Sequence, residues 1–424
     1  MVRTVCGGKL IRNAGWLFLL QGVNIVLPFV TVPYVTRVLG ADAYGTFAIA
    51  LNWVTYFQLV IEFGFDLSAS KKVVGMGPGE ELDRLVSTVV AARLLLVALC
   101  FVAMLAMATL GLVDGVQLAC MLVLFSVLLG YALQLNWLFI GLQDMKVITI
   151  STACARATSV ALIFLMVRDP SQLVLYAFLY SVTFMVSAAL THLFAHRRHG
   201  VRLGWPSLRG IGREMRDGTP IFLSNATSKI IGNVGVTVLG ACQSAAVVGS
   251  YAAILKIPQM ASLMFSPVSQ ALYPRVNEVL AGSRRDAVRL VVKVAAPVLF
   301  LFAAVLAAVA AFRVPVVSLL FGEGYLECAD ALVPLCAWVL LGIANNFMGV
   351  QLLIPFGHQR LYSALVVADS LLCLVLNVVL GTAFGAMGTA SAVAVSELVL
   401  STALVCAHLR VRRAWRAGDG KETL

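Results

Sequence analysis

The feature that most constrains this chain is a series of long, nearly uncharged apolar runs, each close to or above 20 residues. A helix of about 20 residues crosses the hydrocarbon core of a bilayer, and continuous apolar runs lack the alternation of a membrane β-barrel strand. The sequence therefore predicts an all-α polytopic membrane protein with about 12 transmembrane helices. The predicted spans are 13–36, 44–65, 85–109, 116–140, 147–167, 172–194, 219–241, 248–273, 289–312, 329–355, 361–383 and 388–408.

Composition excludes the other broad classes. Of 424 residues, 61% are hydrophobic and only 12% are charged, against about 25% charged in an ordinary soluble domain. A soluble enzyme, a nucleic-acid binder and a disordered chain cannot accommodate this much apolar surface. The nine cysteines include no CxxC pair, so we expect neither a metal site nor a structural disulfide.

The net charge of +11 reflects membrane orientation, so no nucleic-acid partner is expected. With twelve spans, 23 of the 31 Lys and Arg residues fall in segments on the side of the termini. The opposite loops contain only Arg37, Arg168 and Arg313. Because basic residues concentrate on the cytoplasmic side, both termini are predicted to be cytoplasmic.

The longest hydrophilic stretch divides the spans into six and six. We predict an N-terminal six-helix lobe at 1–194, a basic cytoplasmic linker at 195–218, a C-terminal six-helix lobe at 219–408 and a basic tail at 409–424. Short repeated motifs occupy matching places in the two halves, for example Leu39-Gly40-Ala41 and Leu239-Gly240-Ala241. Parallel repeats of this kind leave a central cleft between two lobes, where transporters bind their substrates.

Five basic residues fall inside predicted spans, where a cation is costly unless it meets water or a partner. Lys229 shares one helix face with Asn225 and Asn233, because the three are spaced four residues apart. The candidate substrate-cleft residues for phosphate and sugar are Lys229, Lys256, Arg156, Arg93, Asn225, Asn233, Gln21, Asn24 and Asn52. Helix–helix contacts are the alternative for the polar stripe, and snorkelling to the interface is the alternative for Arg93 and Lys293.

Four acidic residues within or beside the spans are candidates for H⁺ or Na⁺ coupling: Asp369, Glu397, Glu62 and Asp66. A carboxylate in apolar surroundings resists ionisation, which suits a proton or cation site. A structural ion pair is the alternative for Asp369 and Glu397, and contact with Lys71 is the alternative for Asp66. No hydrolytic or transferase centre is visible on the outside loops, and no cofactor is expected.

Several short motifs give the chain a family resemblance. They include Tyr44-Gly45, the run from Trp137 to Gly141, Gly249-Ser250-Tyr251 with Lys256, Leu272-Tyr273-Pro274 and Gly385-Ala386-Met387-Gly388. In this order along nearly the whole chain, they resemble the bacterial O-antigen and polysaccharide repeat-unit flippases of the multidrug/oligosaccharidyl-lipid/polysaccharide exporter superfamily.

The resemblance implies a flippase that moves undecaprenyl-diphosphate-linked oligosaccharide across the bacterial inner membrane by alternating access between two lobes around a cationic cleft. The expected partners are that substrate and membrane lipid, with a polysaccharide polymerase and a chain-length regulator as further candidates. A drug/cation antiporter and a murein-precursor flippase of the same superfamily remain alternatives. A polysaccharide polymerase or ligase is the alternative from another class, although it typically needs a large catalytic outside loop.

Overall fold

The structure is a computed structural model that describes the backbone of residues 2–111 and 113–418. Side chains are described for residues 12–13, 15–111, 113–223 and 232–410. Within these ranges the chain forms helices joined by short turns and contains no strand. Nine helices in the described part are long and apolar enough to cross a membrane. The all-α membrane class is therefore confirmed, whereas the count of 12 spans stays a prediction.

The chain divides into two compact units, Met1–Asn233 and Val234–Leu424, and the division falls inside one helix. The first seven helices are α1 (Val2–Glu62), α2 (Phe65–Val73), α3 (Glu80–Thr109), α4 (Gly115–Leu133), α5 (Asn136–Gly141), α6 (Met145–Met166) and α7 (Leu173–His199). The remaining helices are α8 (Leu208–Cys242), α9 (Ala245–Leu280), α10 (Arg284–Ala311), α11 (Arg313–Phe321), α12 (Leu332–Met348) and α13 (Gln359–Gly418). The predicted lobe and linker boundaries stay predictions.

Two of these helices are broken by glycine. At 61 residues, α1 would be about 90 Å long if straight, roughly three times the hydrocarbon thickness. The break falls at Gly40, with φ 75° and ψ 171°, and α13 breaks at Gly385, with φ 58° and ψ −136°. Residues with a Cβ rarely adopt these angles. The breaks lie between predicted spans 1 and 2 and between predicted spans 11 and 12.

The predicted span 116–140 is not one continuous helix. α4 ends at Leu133, and α5 begins at Asn136. Side chains from two neighbouring helices bind the backbone at this break: Arg93 donates to the carbonyl of Gln134 at 3.2 Å, and the N–H of Leu135 donates to Thr191 Oγ1 at 3.3 Å. Irregular backbone at membrane depth is tolerated where the protein supplies such partners.

Gly130 lets two helices of the first unit approach closely. A Cβ added to Gly130 on α4 would lie 2.7 Å from the backbone carbon of Phe184 on α7. Without strong apolar driving force between helices in lipid, such close packing is a main source of their association. The contact fixes α4 against α7 and so positions the polar residues at the end of α4.

Candidate functional site

Arg93 forms the centre of a buried polar network in the first unit. Its side chain is 1% exposed, and its guanidinium donates to Asp66 Oδ1 at 2.6 Å. The hydroxyl of Tyr131 donates to the other carboxylate oxygen of Asp66 at 3.0 Å. The guanidinium carbon lies 5.9 Å from the ring centre of Phe65 and 5.6 Å from that of Tyr131. Two predicted site residues, one proposed for the cleft and one for coupling, therefore bind each other.

This network ties together helices α2, α3 and α4. Gln134, whose carbonyl accepts from Arg93, also donates through its side-chain amide to Ser187 on α7. The alternative partner for Asp66, Lys71, is exposed and makes no described ion pair with it. The charge-assisted bond to Arg93 is strong in this setting, because loss of Asp66 would leave a buried guanidinium without its counter-charge.

Two of the predicted cleft cations, Lys256 and Arg156, have no acidic partner among the described side chains. Lys256 on α9 donates from Nζ to Gln259 Oε1 at 3.4 Å, its one hydrogen bond among the described side chains. Arg156 on α6 lies near the Tyr180 hydroxyl. No described carboxylate approaches either side chain within 4 Å, and each is only partly exposed. By contrast, Lys293 is exposed.

The predicted sugar-binding amides lie in different surroundings. Asn52 is buried, and Gln21, Asn52 and Asn233 each make interactions with other groups. The Oδ1 atom of Asn24 is buried without a hydrogen-bond partner in the described structure. Asn24 thus has an unsatisfied acceptor, which is buried in this structure.

The residue with the strongest prediction from sequence, Lys229, lies outside the described side chains, and so does Asn225. Their shared face with Asn233 stays a prediction. The backbone around them is helical, as part of α8.

Two carboxylates come together in the second unit. Glu397 on α13 accepts from Asn345 Nδ2 on α12 at 2.8 Å, and Ser401 Oγ donates to Asn345 Oδ1 at 2.7 Å. Asp369, on the other arm of the broken α13, is close enough to interact electrostatically with Glu397. The Oδ1 atom of Asp369 is buried without a hydrogen-bond partner in the described structure.

Neither Asp369 nor Glu397 forms an ion pair with a described Lys, Arg or His. Two interacting carboxylates without a described basic partner are a candidate site for a proton or a bound cation. Glu62, the remaining candidate for coupling, is partly exposed and interacts with other groups.

Asn345 and Ser401 were not predicted as site residues, because amides and hydroxyls are common in apolar helices. One signal was available for Ser401: it follows Glu397 by four residues, which places both on the same helix face. Tyr131 and Gln134 gave no comparable signal, since their partner Arg93 is about 40 residues away in the chain.

Comparison with known proteins gives one family and two similar curated sequences. The family described as "Polysaccharide biosynthesis protein" matches residues 10–280. A protein of Escherichia coli strain K12 is 23% identical over 93% of this chain and 95% of its own length. One of Shigella dysenteriae is 24% identical over 92% and 97%, respectively. Both carry the name "Putative O-antigen transporter".

Solved structures share the fold at low sequence identity. The lipid II flippase MurJ, in an inward closed conformation, gives a TM-score of 0.74 at 12% identity and covers 94% of this chain and 87% of its own. An inward-facing multidrug resistance MATE family transporter of the MOP superfamily gives 0.66 at 14% identity, with coverages of 93% and 96%. These likenesses concern the path of the backbone.

Proposed function

We propose, from the premise that this chain belongs to the polysaccharide biosynthesis protein family, that it is a flippase rather than an enzyme. It moves undecaprenyl-diphosphate-linked oligosaccharide repeat units from the cytoplasmic to the periplasmic leaflet of the bacterial inner membrane. The name of the two curated relatives and the fold shared with a lipid-linked precursor flippase support this function. The orientation with both termini cytoplasmic belongs to the same proposal.

The proposal is carried by two cations, Lys256 in the second unit and Arg156 in the first, each without an acidic partner among the described side chains. A cation in an apolar helix is retained at a cost of about 2.5–3.5 kcal/mol on insertion scales, so an anionic ligand is a good reason for its presence. The diphosphate of the cargo is such a ligand, since charge-assisted hydrogen bonds offset the loss of its hydration. Lys229 is proposed as a third cation of this kind.

The amides complete the chemistry that the cargo requires. Sugar hydroxyls both donate and accept hydrogen bonds, as do Asn and Gln side chains. Asn24 is one of these amides, and its Oδ1 atom lacks a hydrogen-bond partner although it is buried in the described structure. The prenyl chain needs no such site, because it can stay in lipid while the head group crosses. Alternating access would then carry the polar head group across the membrane.

Transport is further proposed to be coupled to an H⁺ or Na⁺ gradient through Asp369 and Glu397. Their proximity without a described basic partner supports this role. Binding of a proton or cation reduces the repulsion between the carboxylates. If the ion binds one conformation of the transporter more tightly than the other, it shifts the equilibrium toward that conformation. A polymerase that uses the repeat units and a chain-length regulator are the proposed partners downstream.

The function is tested with purified protein in proteoliposomes that contain fluorescent undecaprenyl-diphosphate-linked repeat units. Flipping exposes the cargo to a reagent outside the vesicle, so the protected fraction should fall when the protein is present. A parallel measurement uses vesicles of the same composition that contain lipid II, the alternative substrate. Movement of lipid II without movement of the oligosaccharide would reject the proposed substrate, and movement of neither would reject the flippase.

The unpartnered lysine gives a specific prediction. Lys256→Ala should reduce flipping by about tenfold or more, since a hydrogen bond to a charged group contributes about 1.5–3 kcal/mol. Lys256→Arg should retain most activity, because it keeps the positive charge. Initial rates in the proteoliposome assay measure both effects.

The matched control is Lys293→Ala, the same substitution at an exposed lysine, which should leave the rate unchanged. Normal flipping by Lys256→Ala at a normal protein level would show that this lysine does not contact the cargo.

A further inference from the structure

The segment between α7 and α8 exposes apolar side chains outside every candidate membrane span found in the described residues. Trp205 is 99% exposed, Leu208 is 85% exposed and Leu203 is 57% exposed. Elsewhere in the chain, large exposed apolar residues within spans are explained by lipid hydrocarbon. That explanation does not apply to these three, and water is an unfavourable environment for them.

The backbone of this segment is held against α3. The N–H of Arg202 donates to Asp83 Oδ1 at 2.9 Å, and the N–H of Gly204 donates to Ser87 Oγ at 2.8 Å. Asp83 and Ser87 are one helical turn apart, so they act as two adjacent anchors. The exposure of Trp205 is therefore a feature of an anchored segment.

One face of the first turns of α8 packs against the end of α1, and its two acidic side chains form ion pairs. Lys72 on α2 binds Glu214 at 2.7 Å and Asp217 at 2.7 Å. The hydrogen bond from Lys72 lowers the pKa of the Asp217 carboxyl. A Cβ on Gly218 would lie 2.5 Å from the carbonyl oxygen of Phe63, so the helix backbone contacts the end of α1 directly. This face is unavailable to any partner.

Beside this packed face, α8 carries three exposed arginines, Arg209, Arg213 and Arg216, and Asp217, one turn after Arg213, interacts electrostatically with Arg213 and Arg216. Their spacing of four and three residues places them in one stripe. None of them lies within 4 Å of a described carboxylate. The stripe begins one residue after Leu208, so the exposed apolar and cationic groups are adjacent in the chain.

We propose that this linker surface, formed by Leu203, Trp205, Leu208, Arg209, Arg213 and Arg216, docks on the head groups of anionic phospholipids. Trp at the head-group level, apolar side chains beneath it and arginines facing phosphate are the pattern of interfacial segments. Arg216 precedes the predicted span 219–241 by three residues, about 5 Å along a helix. With that span in the bilayer, as predicted, the surface lies at the depth of the head groups.

The proposal requires that the protein is embedded in a membrane with the predicted span 219–241, and it does not depend on the transport function. It assigns the linker a role in fixing the start of α8 at the bilayer surface. An acidic protein partner would also bind arginines, but an apolar patch beside a predicted membrane boundary favours lipid.

The test uses full-length protein labelled with 5-fluorotryptophan in nanodiscs, with Trp205→Phe identifying the Trp205 signal. In discs containing 30 mol% phosphatidylglycerol in phosphatidylcholine, that signal should be protected from a water-soluble gadolinium chelate and broadened by a doxyl-labelled lipid. In pure phosphatidylcholine it should be accessible to the chelate. Each arginine near an anionic surface contributes about fivefold, so Arg209→Gln, Arg213→Gln and Arg216→Gln together should reduce the docked-to-free ratio by roughly a hundredfold.

The matched control removes three exposed arginines elsewhere, by Arg275→Gln, Arg284→Gln and Arg289→Gln, and should leave Trp205 protected. Replacement of the linker arginines by lysine should also preserve protection, because the charge is kept. Equal accessibility of Trp205 in both lipid compositions, or equal protection in both, would overturn the proposal. Protection that appears only when undecaprenyl diphosphate is added would also overturn it, because the surface would then capture cargo.

Discussion

Asp66→Ala is expected to lower the free energy of unfolding by about 3–5 kcal/mol, because it leaves the buried Arg93 guanidinium without its counter-charge. Arg93→Met should cost less, about 3 kcal/mol, since the side chain of Asp66 is 33% exposed and water can hydrate it. Arg93 is only 1% exposed, so water cannot hydrate its guanidinium when Asp66 is removed. The two variants should therefore lose different amounts of stability, although both break the same ion pair at 2.6 Å.

Unfolding of the purified protein in mixed micelles by a denaturing detergent measures these differences. The double variant Arg93→Met with Asp66→Leu should recover much of the loss, since a buried ion pair replaced by apolar groups is often nearly neutral. The control is Arg289→Met, which breaks an exposed pair with Asp286 and should cost under about 1 kcal/mol. Equal losses at the two arginines would contradict a structural role for the buried network.

Glu397→Gln and Asp369→Asn are each expected to abolish the response of flipping to an ion gradient while basal protein levels stay normal. The amides keep the shape of the carboxylates but can neither bind a proton nor neutralise a cation. A gradient of one pH unit is worth about 1.4 kcal/mol per coupled proton, about tenfold in the distribution of cargo across the membrane. The loss of that tenfold bias is the expected effect.

Proteoliposomes with either a pH gradient of one unit or a tenfold Na⁺ gradient measure this bias and identify the ion. Glu323→Gln, the same change at an exposed acid between α11 and α12, should retain the response. Asn345→Leu should weaken it, because Asn345 donates to Glu397 and orients its carboxylate. If both acidic variants respond like the unmodified protein, Asp369 and Glu397 serve only packing between α12 and α13.

The sequence was informative wherever the deciding property is local. The length and apolarity of a run determine whether a helix can span a bilayer, so the all-α membrane class followed directly. Gly40 and Gly385 fell between predicted spans, and the structure breaks two long helices there because only glycine tolerates the backbone angles. The cost of a carboxylate in lipid likewise singled out Asp369 and Glu397 before their surroundings were known.

Only the tertiary structure decided which polar groups meet. A helix that is apolar on every side gives little indication of the face it turns to a neighbour, so partners on different helices are not readable from spacing. Arg93 and Asp66 are 27 residues apart, and Asn345 and Glu397 are 52 apart. Packing of α3 against α2 assigned Arg93 to an ion pair, whereas Lys256 has no acid within 4 Å among the described side chains. Charge in a membrane span is thus visible in the sequence, but whether it is neutralised depends on helix packing.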